Sequence, residues 1–204
     1  MSDMQKQAGV IRHLWTALRL AVVFTVIAGL IYPLVITGLG QLLFPAQANG
    51  SLIVQNGQVV GSALIGQAFT SPRFFQGRPS ATGYAANASS ASNLGPTNPT
   101  LISDVAAALQ GVLAANPGLS VARVPVDLVE SSDSGVDPDI SIQAALVQVP
   151  RVAAQNGLSQ AIVLALVKSQ ERGRFLGLFG APHVNVLELN LKLEALVGGG
   201  GGQG

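Results

Sequence analysis

The sequence predicts a mixed α/β domain outside the cytoplasm, tethered by one N-terminal transmembrane helix. No Asp, Glu, Lys or Arg occurs from Leu20 to Phe44, and this stretch exceeds the about 20 residues that a helix needs to cross a bilayer core. After it, the first charged residue is Arg73. The following part of the chain, about 150 residues, alternates between strand and helix patterns and is long enough for one hydrophobic core.

The apolar stretch contains residues that favour contacts between membrane helices. Gly29, Gly38 and Gly40 would let a partner helix approach closely, although membrane helices also simply tolerate glycine. Pro33 predicts a kink, because its ring removes a backbone donor.

Charge predicts the orientation of this helix. Lys6, Arg12 and Arg19 precede it, and only Asp3 opposes them. The positive-inside rule therefore places the N-terminus in the cytoplasm and the domain outside, at the cell inner membrane. The predicted organisation is a cytoplasmic leader (residues 1–13), a transmembrane helix (14–44), an extracytoplasmic domain (45–197) and a flexible Gly-rich tail (198–204).

A cleavable signal peptide is the alternative interpretation of the N-terminal stretch. The triplet Ala46-Gln47-Ala48 has the small-x-small form of a cleavage site. The apolar run is about twice as long as the roughly 7–15 residues of a signal peptide. Its length therefore favours a retained helix.

Composition excludes several kinds of site. There are no cysteines, so disulfides and thiolate nucleophiles are absent. The net charge of +1 gives no strong field for nucleic acid, and charged residues make up only 10% of the chain.

Local signals predict the first elements of the domain. Asn56-Gly57 between two apolar runs predicts a β-hairpin over Ser51–Val60, because both residues accept positive φ. Residues 70–100 are rich in Ser, Pro, Asn, Gly and Thr and read as a long loop. Asn98-Pro99 then predicts the N-cap and first position of a helix.

Helix signals recur towards the C-terminus. Ser141 and Ser159 are predicted caps of two helices, of which Pro150 should kink or divide the first. Val184 to Leu196 is ambiguous, because its leucines alternate as in a strand. Asn185 with Glu188 resembles a helix cap with its reciprocal partner, so we favour a helix.

The sequence contains no phosphate-binding loop, dinucleotide fingerprint or nucleophile elbow. His183 is expected to be structural. Asp133, Asp137 and Asp139 could hold Ca²⁺, but their spacing does not match a calcium loop, and turn formation is the preferred interpretation.

The loop from Phe74 to Ala81 carries one arginine and two adjacent aromatic side chains. Phe75 and Arg78 are candidate interface residues, because a guanidinium offers five donors to a partner. Arg78 could equally hold this loop on its own domain. The internal role is favoured, since the phenylalanines are expected to pack beneath it.

A series of short blocks gives the chain a family resemblance. They are, in order, Tyr32-Pro33-Leu34, Gly61-Ser62-Ala63-Leu64-Ile65-Gly66-Gln67, Gly77-Arg78-Pro79-Ser80-Ala81, Ser92-Asn93-Leu94, Pro150-Arg151-Val152-Ala153 and Leu189-Asn190. From the apolar helix to about Leu196 the chain resembles the C subunit of Kdp-type potassium-transporting P-type ATPases. The acidic block at Ser131-Ser132-Asp133 departs from the family pattern.

The resemblance implies a non-catalytic subunit of an ATP-driven potassium uptake complex. Its implied partners are a potassium-channel-like subunit, a P-type ATPase subunit and membrane lipid. It further implies a catalytic chaperone that raises the ATP affinity of the pump subunit and itself binds ATP, with Gln143 and Gln148 as candidate nucleotide contacts.

Two observations conflict with direct ATP binding. The predicted orientation places the domain outside the cytoplasm, and glutamines occur on many helix surfaces. The alternatives to the family function are an anchored extracytoplasmic domain that binds an unrelated partner, and a small anchored hydrolase. The missing nucleophile–base motif argues against the hydrolase.

Overall fold

The computed structural model describes residues 2–200, with side chains from residue 9 to residue 198. The chain forms two compact units that divide between Ser51 and Leu52. The structure confirms a mixed helix and strand fold that carries one long apolar N-terminal helix.

The first unit is almost entirely helical. It comprises α1 (Ser2–Val26), a π-helical turn (Ile27–Ile31), α2 (Tyr32–Leu43) and the short α3 (Pro45–Ala48). Within the described residues, Gly9–Leu43 is the single helical stretch long and apolar enough to cross a membrane. A signal sequence near an N-terminus passes the same test.

Pro33 lies directly after the π-helical turn. The N–H of Tyr32 bonds to the carbonyl of Ile27, five residues back. A proline cannot donate to the carbonyl four residues before it, and its ring crowds that carbonyl. The wider turn accommodates both effects, at the point where the sequence predicted a kink.

The second unit begins with the predicted hairpin. Strand β1 (Leu52–Gln55) pairs antiparallel with β2 (Gln58–Ser62), with an irregularity between Ile53 and Val54. Asn56 and Gly57 have φ of 51° and 77°, as a type I′ turn requires. The hairpin prediction is confirmed.

Helix α4 (Pro99–Ala115) begins as predicted, because the side chain of Asn98 accepts from the N–H of Thr100 at 2.8 Å. Two short 3₁₀ turns follow at Val121–Arg123 and Val126–Leu128.

The rest of the domain is one small sheet and three helices. Strand β3 (Asp139–Ser141) pairs antiparallel with β4 (His183–Asn185). The helices are α5 (Ile142–Gln155), α6 (Gln160–Ser169) and α7 (Val186–Gly200). Ser141 and Ser159 cap α5 and α6 as predicted. Pro150 does not divide α5, which continues to Gln155.

The ambiguous C-terminal segment contains both predicted states. Its start, His183–Asn185, is strand β4, and the helix begins at Val186. The Oδ1 of Asn185 accepts from the N–H of Glu188 at 3.1 Å, which confirms the cap. The carboxylate of Glu188 binds Arg172 instead of returning to Asn185, so the reciprocal bond was wrongly predicted. The backbone is helical to Gly200, into the predicted tail, and residues 201–204 lie outside the described residues.

The hydrophobic core lies between α5, α6 and α7. Apolar side chains at helical spacing on these helices face one another, and β3 and β4 cover one end of the cluster. Phe75, from the long loop, is fully buried in the same core.

Candidate functional site

A segment of the long loop, residues 72–78, begins in a turn and then crosses α5 and α7 without belonging to a sheet. We call it the pinned segment. Backbone groups buried away from water must find hydrogen-bond partners. Here the partners are polar side chains that α5 and α7 direct into the core: Gln148, Arg151 and Asn190.

Asn190 on α7 binds Phe75 by both backbone groups. Its Oδ1 accepts from the N–H of Phe75 at 2.8 Å, and its Nδ2 donates to the carbonyl of Phe75 at 2.9 Å. Asn190 is 1% exposed. The side-chain amide therefore supplies the two hydrogen bonds that a neighbouring β-strand would make with Phe75.

Gln148 on α5 makes the same pair of bonds to Gln76. Its Oε1 accepts from the N–H of Gln76 at 2.8 Å, and its Nε2 donates to the carbonyl of Gln76 at 3.1 Å. The Oε1 also accepts from Arg151, and the Nε2 also donates to the carbonyl of Ala144. A glutamine amide offers two donors and two acceptor positions, and all four are used.

Arg151 completes the polar cluster. Its guanidinium donates to the carbonyls of Pro72 and Phe74, to the side chain of Gln148 and to the Oδ1 of Asn116. All these acceptors are neutral. Burial lowers the pKa of Arg151 below its ordinary value, because the charged guanidinium loses contact with water. No carboxylate is among its hydrogen-bond partners to compensate for that loss.

A second polar cluster lies at the end of the pinned segment. The Nη1 of Arg78 is 3.3 Å from the Oδ2 of Asp137, and the hydroxyl of Tyr84 donates to the carbonyl of Arg78. Burial, followed by the charge of Asp137, raises the pKa of Tyr84, while the charge of Arg78 lowers it. The side chains of Arg78 and Asp137 are 27% and 29% exposed.

Gly66 and Gly135 bring other parts of the chain against this cluster. The N–H of Gly66 donates to the carbonyl of Val136 at 2.7 Å. A Cβ at Gly66 would collide with the carbonyl of Asp137, so only glycine allows this approach. Gly135 has a φ of 68° and its carbonyl accepts from the hydroxyl of Ser80.

Asp139 lies at the junction of β3 and β4. Its Oδ1 accepts from the Nδ2 of Asn185 at 3.2 Å, and its Oδ2 is 3.7 Å from the Nε2 of His183. Burial raises its pKa above the ordinary 3.8 and the charge of His183 opposes this, as do smaller contributions from Asn185 and Arg172. Asp137 adds to the rise. No group of three metal-ligating side chains occurs among the described residues.

A pocket adjoins the polar cluster around Arg151. Its volume is about 600 Å³. Its lining comes from the end of α4, the following turn and one face of α5, and includes Asn116, Pro117, Arg123, Pro150 and Arg151. Arg151 directs its hydrogen bonds towards the protein itself, so Arg123 is the accessible charge of this pocket.

The two candidate nucleotide contacts do not lie together. Gln143 is exposed near the start of α5, whereas Gln148 is 1% exposed and fully engaged. Five residues on a helix correspond to a rotation of about 500°, or about 140° net. The sequence did not single out Asn190, Arg151 or Asn116 as site residues. For Asn190 the signal was a lone polar residue on an otherwise apolar face of α7. Asn116 follows the last residue of α4, and Arg151 shares its helix face with Gln148, so neither had this signal.

The candidate interface residues lie in different surroundings. Phe75 is fully buried within its own domain, and Arg78 is partly exposed beside Asp137.

A Cβ at Gly38 would meet no atom within 4 Å, and at Gly29 or Gly40 the nearest atom would be 3.9 or 4.0 Å away. These glycines are therefore not required by contacts that the described chain makes with itself.

Comparison with known proteins identifies the family of this chain. The family model described as "K+-transporting ATPase, c chain" matches residues 14–195. The chain belongs to the KdpC family. Relatives that match most of the chain carry the name potassium-transporting ATPase KdpC subunit. That of Methylococcus capsulatus is 53% identical over 91% of this chain and 99% of its own length.

Two other relatives agree with the first. That of Janthinobacterium is 52% identical over 87% of this chain and 95% of its own length. That of Methylobacterium nodulans is 50% identical over 92% and 99%. The similarity therefore extends over nearly the full length of each relative and includes the apolar helix.

Proposed function

We propose that this protein is an accessory, non-catalytic subunit of an ATP-driven potassium uptake complex. Its apolar helix anchors it in the cell inner membrane, and its domain stabilises the assembly of a potassium-channel-like subunit with a P-type ATPase subunit. Family membership supports the complex.

The exposure of the N-terminal helix carries this proposal. None of the most apolar window within Gly9–Leu43 is buried against the described protein. Its large side chains, among them Phe24, Leu34 and Leu42, are more than half exposed. A helix that is apolar on all sides needs either lipid or other helices around it.

Co-purification tests the assembly role. The full chain carries a C-terminal tag and is isolated from its native membranes in mild detergent. We expect the channel-like and P-type subunits to purify with it. A matched control replaces Gly9–Leu43 by an unrelated single-span helix of equal length. Recovery of neither subunit with the native chain would refute the proposal.

The chaperone role concerns the ATP affinity of the pump subunit. We propose that the complex with this chain has a lower KM for ATP than the complex without it. Steady-state ATPase assays on both complexes measure this difference. An unchanged KM would contradict the chaperone role and leave the assembly role intact.

Direct ATP binding stays a prediction from the family resemblance. Gln148 has no free hydrogen-bonding position, so we propose that a nucleotide contact on α5 involves Gln143. Equilibrium dialysis of ATP against the full chain and its Gln143→Ala variant measures this. Equal affinities, or no binding at all, would contradict the proposal.

We propose that the N-terminus is cytoplasmic, because basic residues precede the helix. The chain has no cysteine, so Ser2→Cys and Ser120→Cys each introduce a single thiol. An impermeant maleimide added to intact spheroplasts should label position 120 and reach position 2 only after lysis. The reverse pattern would refute this orientation.

A further inference from the structure

The loop between α6 and β4 carries four exposed hydrophobic side chains near its middle: Phe175, Leu176, Leu178 and Phe179. We call them the apolar tip. Their exposed fractions lie between 63% and 75%. Every residue from 171 to 182 is exposed, and the contacts to the rest of the domain lie at the base of the loop, at Arg172 and Ala181. Exposed apolar side chains grouped in this way mark a surface that contacts another phase or molecule.

Several backbone groups of the apolar tip bond to one another. Phe175 and Phe179 bond to each other in both directions, at 2.9 and 3.0 Å, and the N–H of Leu178 donates to the carbonyl of Phe175 at 3.1 Å. An unpaired backbone group is costly in an apolar medium. These bonds reduce the number of backbone groups that the tip would have to separate from water.

The turn at the apolar tip places a leucine in an unfavourable backbone conformation. Leu176 has a φ of 53° and is followed by Gly177 at 74°. A non-glycine residue rarely adopts this conformation, and such outliers indicate a functional constraint. Paired bonds between Arg172 and His183, with the Arg172–Glu188 ion pair, fix the base of the loop.

The charge beside the tip identifies the kind of partner. Arg174 precedes Phe175 directly and forms no ion pair with the described residues, whereas the charge of Arg172 is balanced by Glu188. From Phe175 to Pro182 no side chain can donate or accept a hydrogen bond. Specific protein interfaces carry about one hydrogen bond per 100–200 Å², and the side chains of this surface supply none, so its composition favours lipid over a protein partner.

We propose that the apolar tip inserts into the surface of a bilayer that contains anionic lipid. The two phenylalanines and two leucines enter the interface, and Arg174 extends back to the lipid headgroups. This inference rests on the membrane anchoring proposed above. Only residues 44–51 join α2 to β1, and an extended chain reaches at most about 3.3–3.6 Å per residue. The domain therefore stays near the bilayer that holds the anchor.

Depth-dependent quenching tests the inference on the full chain in vesicles. Because native cysteines are absent, bimane can be attached at Leu178→Cys, with Phe175→Cys as a second reporter. Val126→Cys, an apolar position in a 3₁₀ turn that is also more than half exposed, is the matched control. We expect nitroxide-labelled lipid to quench bimane at 178 and 175, and aqueous iodide to quench it at 126.

Arg174→Gln separates the charge from the apolar contact. With phosphatidylglycerol in the vesicles, the ratio of inserted to free tip should fall about fivefold, the effect of one basic residue at an anionic surface. In pure phosphatidylcholine the variant and the native chain should behave alike.

Two results would overturn the inference. Iodide quenching at 178 equal to that at 126 would place the tip in water. Protection of 178 only after the potassium-carrying subunit is added would make its partner a protein. Resistance of the chain to alkaline extraction from the same vesicles reports on the anchor separately. If the chain stays anchored while its tip is exposed to water, only this inference is contradicted. If the chain is extracted, the proposed membrane anchor is contradicted as well.

Discussion

Asn190 and Phe75, 115 residues apart, form a closed pair in which one side-chain amide binds both backbone groups of the other residue. Gln148 repeats this arrangement on the next residue, Gln76. The pinned segment thus receives from α5 and α7 the hydrogen bonds that a neighbouring strand would supply. Its conformation depends on these amides, and through it so does the position of Arg78.

We predict that Asn190→Leu destabilises the domain strongly. Leucine has a similar size but strands the N–H and carbonyl of Phe75 in the core, at a cost of about 1–3 kcal/mol for each group. For a domain of this size, each kcal/mol lowers the melting temperature by about 2–4 °C. Calorimetry of the full chain in detergent micelles measures the midpoint.

Gln110→Leu is the control for this substitution. Gln110 is an exposed amide on α4 and forms no side-chain bond with the described residues. Its replacement should leave the midpoint nearly unchanged. Equal midpoints for the two variants would show that the Asn190 bonds contribute nothing measurable.

We predict that Arg78→Ala lowers the melting midpoint by a small amount. Its ion pair with Asp137 is partly exposed, and such pairs contribute up to about 1 kcal/mol. The buried Nε of Arg78 has no partner among the described residues, which offsets part of this contribution. The bond from Tyr84 goes to the backbone of Arg78 and survives the substitution.

Arg123→Ala provides the comparison for Arg78, because Arg123 is exposed and forms no ion pair with the described residues. The internal role of Arg78 requires a lower midpoint than that of Arg123→Ala. A normal midpoint together with weakened assembly of the transport complex would instead assign Arg78 to a subunit interface.

Local signals in the sequence predicted the element boundaries well. Asn56-Gly57 specified a turn through its own φ angles, and Asn98, Ser141 and Ser159 specified helix starts through bonds two or three residues away. The pairing of β3 with β4 had no comparable signal, because its residues lie more than 40 positions apart. The contacts of the pinned segment join residues even further apart, by 72 to 115 positions, and had no local signal either.

The prediction for Gln148 shows what a single helix surface leaves undecided. Ala144, Gln148 and Val152 recur every four residues and are all buried, so the periodicity contained the information that Gln148 faces inward. The periodicity could not show which group Gln148 binds. The backbone of Gln76 reaches Gln148 only through the tertiary fold, and the amide is then fully occupied.

We predict that Leu at Gly29, Gly38 or Gly40 weakens assembly without preventing membrane insertion. The described chain leaves room for a Cβ at each position, so a loss would reflect a partner helix. Gly38 and Gly40 are about 200° apart on an α-helix and cannot face one partner together. Co-purification after each single substitution therefore identifies the contacting face. Full assembly in all three variants would assign the glycines to simple tolerance.

The last prediction concerns Asp139, whose pKa burial raises above the ordinary 3.8. The folded protein therefore keeps this proton at pH values where the unfolded chain has lost it. Stability changes with pH in proportion to protons bound by the unfolded minus the folded state, so this contribution decreases as pH rises from the ordinary value through the raised one.

Asp139→Asn removes this titration and keeps an oxygen that can accept from Asn185. The midpoint of the variant relative to the native chain should rise from about pH 4 upward and become level once the carboxylate of the folded protein is ionised. Calorimetry across this range measures the difference, with Asp104→Asn, an exposed carboxylate on α4, as the control. A difference that stays constant with pH would mean that His183 and Asn185 balance the effect of burial on the carboxylate, and one that falls would mean that they outweigh it.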